Sequence, residues 1–398
     1  MYNESTKTNK IKIMIQKGIA TFGLDYGKCP RWLFEKMVRL GQEMIEIIVQ
    51  EYGPDEFIKR IADPVWFQSL GTVLAFDWNA SGLTTVLTAS LKESIRNREK
   101  DLGIFICGGK GKTSLKTPQQ IENYSQQIGF SQQGSQSLVY NSKMAAKVDS
   151  SLVQDNFQIY HHSFFFSKNG AWTVVQQGMN AKNQTARRYH WYSEKVNDLV
   201  CEPHSGISSQ IKVPTLDLTS RISNKNRRIS SEIVQGSYSN LIKDIQILRK
   251  HSSELSQMVS LKYKGQQATL LHLEDKEFKS HPILMEDFSK SRYLEKILYK
   301  VCEEKPANYE KLLALKGVGP KTIRALSLVS EIIYGAKPSY QDPARYSFAH
   351  GGKDATPYPI DRPTYDTTIE FFNKIVKSMK TDYSEKKKMI NRLAQLKT

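Results

Sequence analysis

Two adjacent histidines, His161 and His162, lie in an aromatic stretch, and Gln176, Gln177, Asn180, Arg187, Arg188 and His190 follow close behind. These residue types suit phosphoryl chemistry. A neutral imidazole can attack or take a proton near neutral pH, and amide and guanidinium groups can hold an oxyanion. His161, His162, Gln177, Asn180 and His190 are therefore the candidate catalytic residues, with Arg187 and Arg188 as candidate phosphate ligands. The plainer alternative is a histidine hydrogen-bonded among core aromatics. A metal-dependent route would use Mg²⁺ or Mn²⁺ as cofactor, held by carboxylates such as Asp77, Asp149, Asp155 and Glu194, although no spacing singles out a ligand set.

The elements that must position these residues are legible nearby. Phe157 to Ser167 is aromatic and β-prone, Lys168-Asn169-Gly170 contains a favoured hairpin turn, and Ala171 to Gly178 supplies a returning strand. Strand alternation puts His161 and His162 on opposite faces, His161 with Phe157, Ile159 and Phe165, and His162 with Tyr160, Phe164 and Phe166. With aromatics on both sides, at least one histidine should be partly buried. Upstream, Leu33, Phe34, Met37, Leu40, Met44, Ile47 and Ile48 recur at helical spacing between Pro30 and Gly53-Pro54. Further helices are expected from Asp55 and after Asp63-Pro64. Leu102 to Cys107 reads as a buried strand entering the loop Gly108-Gly109-Lys110-Gly111-Lys112-Thr113. Ile106 stands where a nucleotide-binding P-loop needs its first glycine, so a DNA phosphate held by Lys110 and Lys112, or a plain basic turn, are the readings left. Ser125 to Ser137 reads as a surface loop.

A second motif runs Leu312-Leu313-Ala314-Leu315-Lys316-Gly317-Val318-Gly319-Pro320-Lys321-Thr322 and leads into a helix. It resembles the helix–hairpin–helix family. Two glycines remove side chains so that backbone amides can approach a phosphate, and Lys321 adds charge. Gly317, Val318, Gly319, Lys321 and Thr322 are thus candidate DNA-binding residues, with sequence-independent binding implied; an ordinary tight turn is the alternative. In base-excision glycosylases of this superfamily a lysine at the place of Lys321 attacks the sugar, assisted by an aspartate. Here Asp342 has about the right separation, whereas Pro359-Ile360-Asp361 has the more similar local motif.

The hairpin also resembles that of the phospholipase D superfamily, with His162 at the nucleophile's place and Asn180 at the terminal asparagine, though Phe164 occupies the lysine position. Lys28 to Phe34, Asp77 to Thr85, Val174 to Asn180 and Ala186 to Trp191 resemble, over nearly the whole chain, a family of archaea and thermophilic bacteria known as domain of unknown function 763. Leu24-Asp25-Tyr26-Gly27 departs from the His-Gly-Gly-like stretch expected there.

Charge narrows the partners. The 398 residues carry 57 Lys and Arg against 40 Asp and Glu, a net +17, which favours a polyanion and DNA above all. No apolar run is long enough to span a membrane, the start lacks a signal peptide's apolar stretch, and four widely spaced cysteines give neither a disulfide framework nor a zinc knuckle. A cytoplasmic protein without membrane contact is expected, with a homodimer as the oligomer considered. The organisation expected is α+β: a flexible extension at 1–16, a domain at 17–206 with helices and a hairpin-containing sheet, a linker at 207–230, and a helical C-terminal domain at 231–398. The leading functional expectation is a nuclease acting on DNA in repair or recombination, followed by a glycosylase with lyase activity and then by an architectural DNA-binding protein.

Overall fold

Apolar residues at three- and four-residue spacing wind the start of the described chain into α1 (Arg31–Tyr52), α2 (Pro54–Ile61), α3 (Pro64–Val73) and α4 (Ala80–Ser94). The boundaries have local causes. Gly53 at φ +84° breaks α1, Pro54 and Pro64 occupy helix starts, and Asp63 caps α3 by accepting from the Val65 amide at 2.8 Å. The computed structural model describes residues 29–74, 80–182, 184–209, 212–251, 260–263, 266–269, 292–345 and 362–395. The expected extension at 1–16, together with Asp77 and Asp361, lies outside them.

A single turn, α5 (Glu99–Leu102), delivers the chain to β1 (Ile104–Lys110). The Ser- and Gln-rich segment expected as a loop is instead mostly helical, in α6 (Thr117–Gln127) and α7 (Gln132–Ser151). Ser125 and Leu138 face inward there while most of the glutamines cover the outside, and the Ser131 hydroxyl caps α7 by accepting from the Gly134 amide at 3.0 Å. Composition alone misread an amphipathic surface as a loop.

After β2 (Val153–Gln154), the expected hairpin is formed by β3 (Gln158–Ser167) and β4 (Trp172–Asn180), and β5 (Thr185–Tyr192) and β6 (His204–Ser209) widen it. The result is a five-stranded antiparallel sheet in the order β1-β3-β4-β5-β6, while β2 pairs with β7 (Leu216–Asp217). The C-terminal region is mainly helical: α8 (Asn224–Gln235), α9 (Tyr238–His251), the hairpin β8 (Ser260–Tyr263) and β9 (Gln266–Thr269), then α10 (Arg292–Glu304), α11 (Tyr309–Ala314), α12 (Pro320–Ile332), α13 (Arg362–Ser378) and α14 (Tyr383–Gln395). The architecture is α+β, and no helix among the described residues is long and apolar enough to cross a membrane.

Both faces of the sheet are covered. Phe105, Phe164, Phe166, Val174 and Trp191 share one core with α6, α7 and helices α8 to α12. Ile104, Ile106, Phe165, Val175 and Tyr192 share the other with α1 to α4, α13 and α14. Trp66 of α3 stacks on Phe372 of α13 at 5.1 Å, so the end of the chain returns to its beginning. The segment expected as a linker holds the end of β6, β7 and the start of α8, with Ser223, Asn226 and Arg227 buried. Its polar residues serve internal hydrogen bonds, such as Asn226 donating to the Ser327 and Ala336 carbonyls at 2.9 and 2.7 Å.

One glycine fixes how β1 meets β3. Gly108 has φ +83°, and a Cβ there would lie 2.2 Å from the His162 carbonyl oxygen. Gly108→Ala must therefore shift backbone as well as adopt a strained φ, and is expected to cost about 2–4 kcal/mol. A thermal melt showing no loss of stability would remove this constraint.

Candidate active site and candidate nucleic-acid interface

Cross-strand register gathers the polar residues of the hairpin block into the middle of the sheet. His161 lies opposite Gln177 and His162 opposite Gln176, while Gln177 faces Arg188 and Val175 faces His190 on β5. The two histidines do point to opposite faces, but a bulge between Ile159 and His161 shifts the residues before them. Tyr160 turns to the His161 side, where its hydroxyl accepts from Gln177 Nε2, and Ile159 packs with Tyr189 and Ile207 on the His162 side. The expected partners of each face are exchanged at these two positions.

On the His161 face the side chains are enclosed by α3 and α4. His161 Nε2 lies 3.1 Å from Thr88 Oγ1 and 3.0 Å from Ser163 Oγ, and its Nδ1 has no hydrogen-bond partner among the described residues. Arg188 is fully buried: it donates to Gln68 Oε1 at 3.3 Å, to the Pro64 carbonyl at 3.4 Å and, through Nε, to His190 Nε2 at 2.8 Å, with its guanidinium 4.6 Å from the Phe67 ring centre. His190 Nδ1 therefore carries the proton and donates to the Ile61 carbonyl at 3.0 Å. Burial pushes the Arg188 pKa down to about 9 and His161 down to about 3, and holds His190 well below the usual imidazole value.

The opposite face is organised by a buried carboxylate. Asp149 of α7 accepts from Gln176 Nε2, from Trp191 Nε1 at 3.1 Å and from His204 Nε2 at 2.6 Å. Since the Gln176 amide nitrogen faces Asp149, Gln176 Oε1 accepts from His162 Nδ1 at 2.9 Å, and His162 Nε2 is left to accept from the Ser142 hydroxyl at 2.9 Å. His162 is thus closed on both nitrogens, and burial lowers its pKa. Arg187 is also fully buried, bridging Asp155 at 2.9 Å and Asp342 at 2.7 Å. Burial opposes the Arg187 charge, but the two carboxylates outweigh that cost and raise its pKa. Neither arginine has the exposed place that a surface phosphate ligand needs; both are tied into the interior. Asn180 accepts from the Lys182 amide at 3.0 Å and shapes the turn into β5.

His204 is a candidate site residue that sequence reasoning missed. It heads β6 and lines a polar cavity of about 340 Å³ with Ser205, Asp217, Ser220, Asp342 and Arg345. Its Nε2 is held by Asp149, while Nδ1 has no protein partner among the described residues. A buried carboxylate fixing one nitrogen of an imidazole at a cavity wall is the arrangement that prepares the other nitrogen to take a proton. The cavity carboxylates Glu202 and Asp342 are paired, with Arg221 at 2.9 Å and Arg187 at 2.7 Å. No group of three or more His, Cys, Asp or Glu among the described residues is placed to hold a metal ion.

The glycine motif joins α11 to α12. Gly317 adopts φ +96°, Val318 is buried in the core, Thr322 is buried, and Lys316, Pro320 and Lys321 are exposed. A Cβ added at Gly319 would meet nothing within 4 Å, so the space in front of it is open. Asp342 is held by Arg187 and by the Val213 amide at 2.8 Å, and Lys321 does not line its cavity. At the other loop, Lys110 and Lys112 are exposed, Lys110 sits 5.9 Å from the Tyr160 ring centre, and the Gly108 amide is occupied by Gln120 Oε1 at 2.8 Å.

The neutral interior histidines set an acid limit on stability. His161, His162 and His190 have folded pKa values below the ordinary 6.5, so the unfolded chain binds protons that the folded chain does not. Stability should be full above about pH 6.5 and fall on acidification with a slope of about 1.4 kcal/mol per pH unit for each, a loss that for His161 levels off near pH 3. Denaturant melts from pH 7 to 4 check this: His161→Gln should remove one proton's share of the slope, and an unchanged slope would place His161 in a solvated state.

Comparison with known proteins is sparse but decisive for the family. No curated protein and no solved structure matches the chain. A family model does match residues 18–360, which include the whole described sheet, the cavity residues and the glycine turn, and the chain accordingly belongs to the family described as protein of unknown function (DUF763).

Proposed function

We propose that this protein grips the DNA backbone through the turn Lys316–Thr322 and hydrolyses a phosphodiester bond, with His204 as general base. The observation that carries the chemistry is the Asp149–His204 pair on the wall of the polar cavity. In this reading His204 Nδ1 takes a proton from water as the water oxygen forms its bond to phosphorus and the ester oxygen departs. The Asp149 carboxylate stabilises the imidazolium so formed, and Arg345 offers charge to the phosphate.

Binding through the turn is supported by the open space where a Gly319 side chain would stand, the exposed Lys316 and Lys321, and the net charge of +17. Turn and cavity are also mechanically joined. Gln154 of β2 donates to the Pro320 carbonyl at 3.0 Å, and its neighbour Val153 pairs with Asp217 of the cavity.

End-labelled single-stranded, duplex, flap and abasic DNA, each with and without Mg²⁺ or Mn²⁺, is the direct assay. Affinity should fall steeply with salt and vary little with sequence. Gly319→Val is the probe of the turn, because its backbone is extended and the added Cβ would meet no protein atom within 4 Å; a loss of affinity of about tenfold or more is expected. His204→Ala and Asp149→Asn should slow cleavage by about 10²- to 10⁴-fold with binding retained. Wild-type cleavage by folded His204→Ala would sink the proposed chemistry, and unchanged affinity in Gly319→Val would remove the turn. Borohydride trapping on abasic DNA that disappears in Lys321→Ala would move the reaction to base excision.

A further inference from the structure

Three backbone carbonyls of the glycine turn and the helix before it converge on one side chain from a distant part of the sequence. Lys147 of α7 places its ammonium 2.6 Å from the Leu313 oxygen, 2.6 Å from the Leu315 oxygen and 3.5 Å from the Val318 oxygen. The end of a helix leaves such carbonyls without intrahelical partners, and an ammonium supplies three donors at one point. Lys300 adds a contact to the next carbonyl, Lys316 O, at 3.4 Å.

The direction of these carbonyls decides where the amides point. A trans peptide is planar, with its C=O and N–H on opposite sides. When Lys147 draws the Leu315 and Val318 oxygens inward, the amides of the same peptide units, Lys316 N–H and Gly319 N–H, must face outward. Neither amide has a backbone acceptor among the described residues, and a Cβ built on Gly319 would meet nothing within 4 Å. Two outward amides beside the exposed Lys316 and Lys321 offer donors and positive charge to a phosphate oxygen.

We propose that Lys147 is the positioning residue of the DNA-binding turn, holding its carbonyls inward so that the Lys316 and Gly319 amides are aimed at a backbone phosphate. The inference rests on the DNA-binding reading above and extends it, since Lys147 itself faces the protein and touches no ligand. It makes the grip on DNA a property of the sheet-packed helix α7 as much as of the turn.

The test uses full-length protein, a short DNA duplex and two neutral variants, Lys147→Ala and Lys147→Met. Both variants, checked for folding by circular dichroism, should bind the duplex about tenfold or more weakly. In Lys147→Ala the vacated space admits a small donor cation, so ammonium chloride should restore most of the lost affinity, whereas tetramethylammonium chloride at the same ionic strength, which cannot donate, should not. Lys147→Met fills the space and should resist rescue. Amide exchange without DNA gives a second readout: residues 316–319 should exchange faster in Lys147→Ala and slow again with ammonium. Wild-type affinity in both folded variants, or equal affinity of Lys147→Ala in the two salts, overturns the role of Lys147. If the wild-type protein binds no DNA at low salt, the functional reading falls instead, and unaltered exchange of the turn in Lys147→Ala would then overturn the positioning role as well.

Discussion

The burial of the Asp149 carboxylate is the constraint from which much of this structure follows. A carboxylate with no solvent exposure is costly unless several donors surround it, and the donors here come from three neighbouring strands: Gln176 of β4, Trp191 of β5 and His204 of β6. Helix α7 is thereby fixed in angle and height over the sheet. Because Gln176 must turn its amide nitrogen to Asp149, its oxygen dictates the tautomer of His162, and that tautomer dictates the role of Ser142. One buried charge thus orders a polar network that ends at the cavity wall.

The sheet separates two kinds of polar interior. On the Asp149 side Arg187 is balanced by ionic partners, lying between Asp155 and Asp342. On the His161 side the described contacts of Arg188 are to neutral groups, the Gln68 and Thr84 side chains, the Pro64 carbonyl and the His190 ring. Adjacent arginines on one strand therefore live in opposite electrostatic surroundings, which is why burial lowers the pKa of one while carboxylates raise that of the other. The hairpin block, so dense in reactive residue types, uses most of them as internal structure.

Much of the fold was legible in the sequence because its signals are local. The helical stripe of α1, the Gly53-Pro54 break that ends it, the proline start of α3, and the Asn-Gly turn between β3 and β4 each depend on neighbours a few residues away. Strand β5 gave no such signal: Thr-Ala-Arg-Arg-Tyr-His-Trp-Tyr is covered on both faces, so apolar and polar residues do not alternate. The Ser- and Gln-rich stretch at 125–137 failed for the converse reason, its few inward residues being outnumbered by a solvated surface. The candidate site was less legible than the fold. His204 had only its residue type to recommend it, since the partner that orients it lies 55 positions away, whereas Gly317 and Gly319 were visible because a tight turn writes itself into consecutive residues.

Helix α7 explains how two such separate features can belong to one device. Lys147 and Asp149 are two residues apart, which on an α-helix of 3.6 residues per turn places them about 200° apart around the axis. One side chain reaches the carbonyls of the glycine turn; the other reaches into the sheet and holds His204. A rotation or shift of α7 that improved one contact would degrade the other, because close packing against Phe164, Val174 and Trp191 on one side and α11 and α12 on the other leaves little freedom. The helix is therefore a rigid spacer with a polar anchor on each flank, and the turn and the cavity keep a fixed relation without any direct contact between Lys316–Thr322 and His204 being needed. A charge embedded two residues from another charge of opposite sign, each satisfied by a different part of the fold, is the economical way for a single helix to register both.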